Sequence, residues 1–113
     1  MSLKNQQIER VVQVISKIPS GSVTTYGQVA EMANLNGRAR WVGRILSQLP
    51  VGTRLPWHRV ISSSGRITNP NIEEQRNRLR QEGVKVREDR VSLKRFRWNP
   101  AHLPDGLPRS SEG

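Results

Sequence analysis

The sequence predicts a single domain that is mainly α with a small β hairpin, and three observations carry that prediction. A chain of 113 residues has the length of one modest core. Apolar residues recur at helical spacing in separate runs, whereas Val60-Ile61 and Ile67-Thr68 stand as short extended pieces around a serine-rich turn. The third observation is order: two short helices joined by a glycine-containing turn, the second studded with arginine, precede that hairpin. This is the order of a winged helix-turn-helix. An ordinary helical hairpin is the competing reading, and the charge on the second helix weighs against it.

Ile8, Val11, Val12, Ile15 and Ile18 share one helical face and Glu9, Arg10, Gln13 and Lys17 the other, which predicts an amphipathic helix over residues 5–18. Pro19 and Gly21 end it. After the extended Ser22-Val23-Thr24, Thr25 stands three residues before Gln28, the spacing of a capping box, so a second helix is expected over 26–33. Tyr26 then sits at a helix N-terminus, where free amides favour an anion. Asn34-Leu35-Asn36-Gly37 is the turn. Val42, Ile45, Leu46 and Leu49 make one stripe of a third helix over 38–48, with Arg40, Arg44 and Ser47 on another face.

Residues 50–54 read as loop, and Pro56 pushes Leu55 out of the α region, so the approach to Trp57 is a stiff strap. The hairpin is expected between Arg59-Val60-Ile61 and Gly65-Arg66-Ile67-Thr68. A fourth helix over 72–81 would turn Ile72, Gln75 and Leu79 inward and Arg76, Arg78 and Arg80 outward, with Gly83 as its stop. Residues 84–87 and 90–93 alternate and pair through Glu88-Asp89. The aromatics of Arg95-Phe96-Arg97-Trp98 are expected to pack on the core. Residues 1–98 form the domain on this reading, and 99–113, rich in proline and glycine, are a flexible tail.

Nineteen Lys and Arg against nine Asp and Glu give a net charge of +10, which favours a polyanionic partner, nucleic acid first. The distribution sharpens this. Between Glu31 and Glu73 there is no acidic residue, and the basic residues there, Arg38, Arg40, Arg44, Arg54, Arg59 and Arg66, are all arginine, whose fork suits phosphate or a base edge. A solvated basic surface accounts for any one of them but poorly for all six.

The chain has no cysteine, which removes disulfides, thiolate metal sites and every cysteine nucleophile. His58 and His102 are far apart with no carboxylate company, so neither a metal nor a cofactor is expected. No glycine-rich phosphate loop precedes a helix, and the two histidines have no credible serine partner. No apolar run approaches the roughly 18 residues of a membrane span, and residues 1–5 open no apolar leader. A soluble cytoplasmic protein without membrane contact is expected. Hydrophobic residues, 34% of the chain, leave little for a large partner surface, and a monomer is expected.

Pro56-Trp57-His58-Arg59-Val60 resembles the Pro-Cys-His-Arg-Val signature of the O(6)-alkylguanine-DNA alkyltransferases, with tryptophan where that family keeps its alkyl-accepting cysteine. The likeness runs from Ile18-Pro19-Ser20-Gly21-Ser22-Val23-Thr24-Thr25-Tyr26-Gly27 through Arg40 and Val42-Gly43 to Glu82-Gly83, in the family's order and close to its spacing. With Trp in the signature, the chain looks like the alkyltransferase-like proteins, which bind alkylated guanine in DNA without repairing it directly.

That resemblance implies a damaged guanine turned out of the duplex into a pocket, since its altered oxygen cannot be reached inside the stack. Tyr26 matches the tyrosine that presses on the phosphate beside the flipped nucleotide, and Arg40 the finger that fills the vacated stack. Trp57 matches the pocket floor, lined further by Tyr26, His58 and Val60. Thr25, Arg38, Ala39, Trp41, Gly43, Arg44, Arg54 and Arg66 would meet the backbone or groove. His58 and Glu82 match the relay that deprotonates the missing cysteine and persist as a structural tie. Extrusion costs a few kcal/mol and an aromatic floor returns about 1–3 kcal/mol, so a pocket without chemistry can select lesions.

Departures from the family pattern are local. Thr68-Asn69-Pro70-Asn71-Ile72 stands where the family has a Tyr-Ser-Gly-Gly run, its asparagine before the signature is replaced near Gln48 and Leu49, and Trp41 is bulky on a helix kept small to enter the minor groove. Trp41 is expected to pack inward. The reading that results is a non-enzymatic sensor of O(6)-alkylguanine in double-stranded DNA, associated with the nucleoid when bound and handing the lesion to nucleotide excision repair proteins. A winged-helix regulator reading an undamaged sequence is the alternative; an active transferase with another nucleophile is disfavoured by the absence of cysteine.

Overall fold

Val60 and Ile61 have no exposed surface, and their burial decides how the chain pairs. The computed structural model describes residues 3–100. Its elements run α1 (Leu3–Ser16), β1 (Thr24–Thr25), α2 (Tyr26–Met32), α3 (Ala39–Ser47), a 3-10 turn (Trp57–Arg59), β2 (Val60–Ile61), α4 (Ile72–Gln81) and α5 (Leu93–Phe96). The domain is mainly helical, as the sequence predicts. The expected hairpin is not formed as a two-strand ladder. β2 pairs instead with β1, in parallel, Thr24 opposite Val60 and Thr25 opposite Ile61. A parallel pair needs a long crossover, which α2 and α3 supply, and tolerates apolar residues on both faces because both are covered.

The chain does reverse after β2, with the Ser62 amide donating to the Arg66 carbonyl at 2.9 Å, but residues 65–67 then pair with 89–91 rather than with β2. That pairing is anchored by the turn through Glu88 and Asp89, both at positive φ (50° and 59°), the geometry of a two-residue type I′ connection. Arg87 and Arg90 exchange both backbone hydrogen bonds across it, at 3.0 and 2.9 Å, as the alternation of 84–93 predicts.

The two residues of β2 point to opposite faces and so join two cores. Val60 belongs with Val11, Ile15, Ile18, Val29, Val42, Leu46, Trp57 and Trp98, the packing of α1, α2 and α3. Ile61 belongs with Val23, Ile67, Leu79, Val84, Val86 and Val91. α1 stops at Ser16, two residues earlier than expected, where Lys17 and Ile18 donate three residues back and tighten the last turn. Val11, Ile15 and Ile18 are buried as the spacing predicts, with Val14 beside them, while Ile8 and Val12 are half-buried at the edge of the stripe.

α2 starts as expected: the Gln28 amide donates to Thr25 Oγ1 at 3.1 Å. The reciprocal arm of the capping box is absent, since Gln28 Nε2 reaches the Trp98 carbonyl. α2 and α4 end alike. Asn34 and Gly83 take positive φ, and Leu35 and Val84 donate five residues back, to Ala30 and Leu79, in Schellman caps. Trp98 is buried and donates its amide to Val23, so the aromatic segment packs on the core as predicted. The tail expected over 99–113 lies, beyond Pro100, outside the described residues. Among the described residues no helix is long and apolar enough to cross a membrane.

Candidate nucleic-acid interface

α3 is apolar on the side that meets α2, because Val42 and Leu46 are buried four residues apart. The opposite side carries Arg40 and Arg44, again four apart, both exposed and with no ion pair among the described residues. An open cleft of about 690 Å³ lies along this side, lined by Tyr26, Ala39, Arg40, Gly43, Arg44 and Ser47 and closed across by residues 62–63 and 68–70. Tyr26, half-buried at the start of α2, leans on α3. A Cβ at Gly43 would stand 3.6 Å from its ring, and the hydroxyls of Tyr26 and Thr68 are 3.4 Å apart.

Trp57 faces a second hollow, of about 320 Å³, with Leu46, Leu49, Val51 and Asn71 around it. Ser47 and Asn69 line both spaces and are the wall between them. Trp57 is only 7% exposed, and the Arg78 guanidinium stands 5.7 Å over its ring. Arg78 is held there by Glu74, Nε to Oε2 at 2.7 Å, one turn earlier on α4. The indole that the resemblance places at the pocket floor is thus a core residue with one face covered by a cation.

Behind Trp57 lies an internal tie. His58 Nε2 meets Glu82 Oε2 at 2.7 Å, and Arg59 reaches the same carboxylate, Nη2 to Oε2 at 2.6 Å and Nε to Oε1 at 3.0 Å. Arg59 Nη1 also donates to the Ile18 carbonyl at 2.7 Å, and the Gly21 amide donates to Glu82 at 3.3 Å. Gln75, fully buried, donates Nε2 to the carbonyls of both His58 and Val60 at 3.0 Å. Burial alone would raise the Glu82 carboxyl, but the Arg59 fork, His58 and the Gly21 amide outweigh it and hold the group at about 2. Burial lowers His58 below its usual range despite the neighbouring carboxylate, and Nδ1 is buried with no partner among the described residues.

The structure therefore divides the residues read from the sequence. It brings Tyr26, Ala39, Arg40, Gly43 and Arg44 together at one cleft and puts Trp57 in the adjoining hollow. Arg38, Arg54 and Arg66 are exposed. Trp41 packs against the core, half-buried, with the Arg38 guanidinium 5.1 Å over its ring. Three assignments are corrected. Val60 has no exposed surface and lies behind the pocket, because β2 runs through the core. His58 faces Glu82 and the hollow beside Asn77 and Gln81, not the space in front of Trp57. Thr25 is buried, and its hydroxyl oxygen accepts the α2 capping bond, so it is part of the α2 cap rather than of the exposed surface. Arg59, one of the six arginines of the acid-free region, is committed internally to Glu82 and the Ile18 carbonyl. Asn69, Ser47 and Arg78 line the spaces without having been singled out as pocket residues; only the departure of residues 68–71 from the family run marked that wall in the sequence.

An arginine-bearing helix beside a cleft and an adjoining hollow, braced from behind by a part-buried ion pair, defines a small DNA-binding domain. Residues 6–84 match the family model for the DNA-binding domain of 6-O-methylguanine DNA methyltransferase. The chain is 40% identical over 99 residues to a DNA base-flipping protein of Vibrio parahaemolyticus, covering 85% of this chain and 99% of that one. It is 35% identical over 100 residues to alkyltransferase-like protein 1 of Schizosaccharomyces pombe, covering 80% of this chain and 93% of that protein. The crystal structure of S. pombe Atl1 in complex with damaged DNA containing O6-carboxymethylguanine superposes with a TM-score of 0.80 at 32% identity, over 85% of this chain and 97% of that chain. The chain belongs to the O(6)-alkylguanine-DNA alkyltransferase family, as an alkyltransferase-like member.

Proposed function

We propose that this protein is a non-enzymatic sensor of O(6)-alkylguanine, which binds duplex DNA, turns the damaged nucleotide out and holds it without alkyl transfer. The observation that carries this reading is Trp57, in the signature position of the acceptor cysteine and at the floor of a hollow adjoining the Arg40 cleft. Its indole N–H is a hydrogen-bond donor only and offers no lone pair for an alkyl group. The names of the relatives, a base-flipping protein and an alkyltransferase-like protein, support the same reading.

α2, the turn and α3 serve as the helix-turn-helix, and residues 60–67 as a shortened wing whose second arm is paired with 89–91. Arg38, Arg44, Arg54 and Arg66 hold phosphates, Arg40 enters the stack, and Tyr26 bears on the displaced nucleotide's phosphate. The base passes the Ser47 and Asn69 wall to reach Trp57. The protein acts as a monomer in the cytoplasm, on nucleoid DNA, and passes the site to nucleotide excision repair proteins. Competition between two short duplexes, identical except for one O(6)-methylguanine, tests the reading. A preference of about tenfold, about 1.4 kcal/mol, is expected, and equal binding would overturn it.

A further inference from the structure

Arg66, Arg90 and Arg87 come from different parts of the chain but stand side by side. Arg66 is bridged antiparallel to Arg90, and Arg90 antiparallel to Arg87. The Ile67 amide donates to the Asp89 carbonyl at 2.9 Å and the Val91 amide to the Gly65 carbonyl at 2.8 Å. These bonds flank Arg66 and Arg90, which are therefore a non-hydrogen-bonded pair, the kind with side chains closest together. Residues directly opposite share a face of the sheet. The other face is the second core, with Ile67, Val86 and Val91 buried. The three arginines are accordingly all on the outer face, and all are exposed.

Like charges placed directly opposite each other destabilise a sheet. No ion pair relieves them among the described residues: Asp89 is paired with Arg76, and Glu88, exposed in the turn between Arg87 and Arg90, bridges to none of the three. The arrangement is also enforced. Gly65 sits at φ +85° with its absent Cβ only 2.6 Å from the Val91 carbonyl oxygen, so only glycine lets the two segments close. Three arginines kept in register without an ion-paired carboxylate suit a row of anions. Two strand spacings span about 10 Å, comparable to the three steps of about 3.4 Å of rise that separate the first and last of four successive phosphates. Arg66 lies on the same turn as Ser62, Ser63 and Thr68, which edge the α3 cleft, so the row starts at the cleft and leads away from it.

We propose that Arg66, Arg90 and Arg87 form a phosphate-binding track that takes the backbone of duplex DNA flanking the lesion cleft, independently of base sequence and of damage. This rests on the reading above only in that the partner is duplex DNA. The test compares the native protein with R87Q/R90Q in salt titrations on an undamaged duplex and on the same duplex with one O(6)-methylguanine. Loss of two phosphate contacts should lower the slope of log affinity against log salt by about 2 on both duplexes, with affinity down about tenfold at moderate salt and the damaged-to-undamaged ratio kept. R87K/R90K should retain most of the slope, and thermal midpoints should show both variants folded, R87Q/R90Q no less stable than native because repulsion is relieved. An unchanged slope in folded R87Q/R90Q overturns the track. A native protein with no lesion preference whose slope still falls in R87Q/R90Q keeps the track and overturns lesion sensing instead.

Discussion

Arg59 and Glu82 form a forked ion pair, Nη2 to Oε2 at 2.6 Å with Nε within 3.2 Å of both carboxylate oxygens, across a sequence separation of 23 residues. Through it the strap that carries Trp57 is tied to the end of α4 and, via the Ile18 carbonyl and the Gly21 amide, to the exit of α1. A family signature and a distant glutamate are thus one mechanical unit, holding the floor of the hollow from behind.

Acid should loosen that unit. Glu82 is held at about 2 against an ordinary 4.5, so its contribution is complete above pH 4.5 and is lost as pH falls toward 2. His58 is held below 6.5, so its neutral form also favours the fold above that pH and protonation opposes it below. Thermal midpoints should fall on acidification from pH 6.5 onward. Glu82→Gln should cost about 2 kcal/mol at pH 7 and flatten the acid limb below pH 4.5; an unaltered acid limb would remove Glu82 as its source.

Tyr26→Ala and Arg40→Ala separate binding from folding. Arg40 is exposed and Tyr26 half-buried at the cleft, so stability should change by about 1 kcal/mol or less for Arg40→Ala. Lesion binding should fall about tenfold or more in each. Unchanged affinity in both would sink the flipping model.

Trp57→Ala should cost about 3–5 kcal/mol, since the ring is core as well as floor. Trp57→Phe keeps most of the packing and isolates the platform. Its midpoint should stay within a few degrees of native while the preference for O(6)-methylguanine drops, measured in the same competition assay.

Arg78→Ala should uncover the Trp57 ring. With fluorotryptophan incorporated, the fluorine resonance of Trp57 should shift while that of Trp41, which stacks with Arg38, and that of buried Trp98 stay in place. The stability cost should be about 0.5–1 kcal/mol, the value of an exposed cation–π contact. A static Trp57 resonance would mean that the two groups are not stacked in solution.

Gly65→Ala should be among the most damaging small substitutions, because the added methyl would meet a backbone oxygen at 2.6 Å in a left-handed conformation. Gly52→Ala, also at positive φ but with nothing within 4 Å, should cost only the conformational strain, about 1 kcal/mol. Equal midpoints for the two would show that the 65–67 and 89–91 segments do not pair closely.

The sequence alone determined what depends on near neighbours. The α2 cap at Thr25, the stop at Gly83, the stripe of Val42 and Leu46 and the turn through Glu88 and Asp89 all follow from spacings of a few residues, because capping, helical periodicity and two-residue turns are local physics. The family signature and the acid-free arginine region likewise pointed to DNA without coordinates. Only the tertiary structure decided partners distant in the chain. Whether Val60-Ile61 pairs with residues after it or with Thr24-Thr25 depends on which surfaces α2 and α3 cover, and a buried two-residue strand carries no alternation to tell them apart. Arg59 and Arg40 look alike in the sequence; one is neutralised by Glu82 inside the fold and the other is left facing solvent, since a charge's role is set by which opposite charge folding brings within reach.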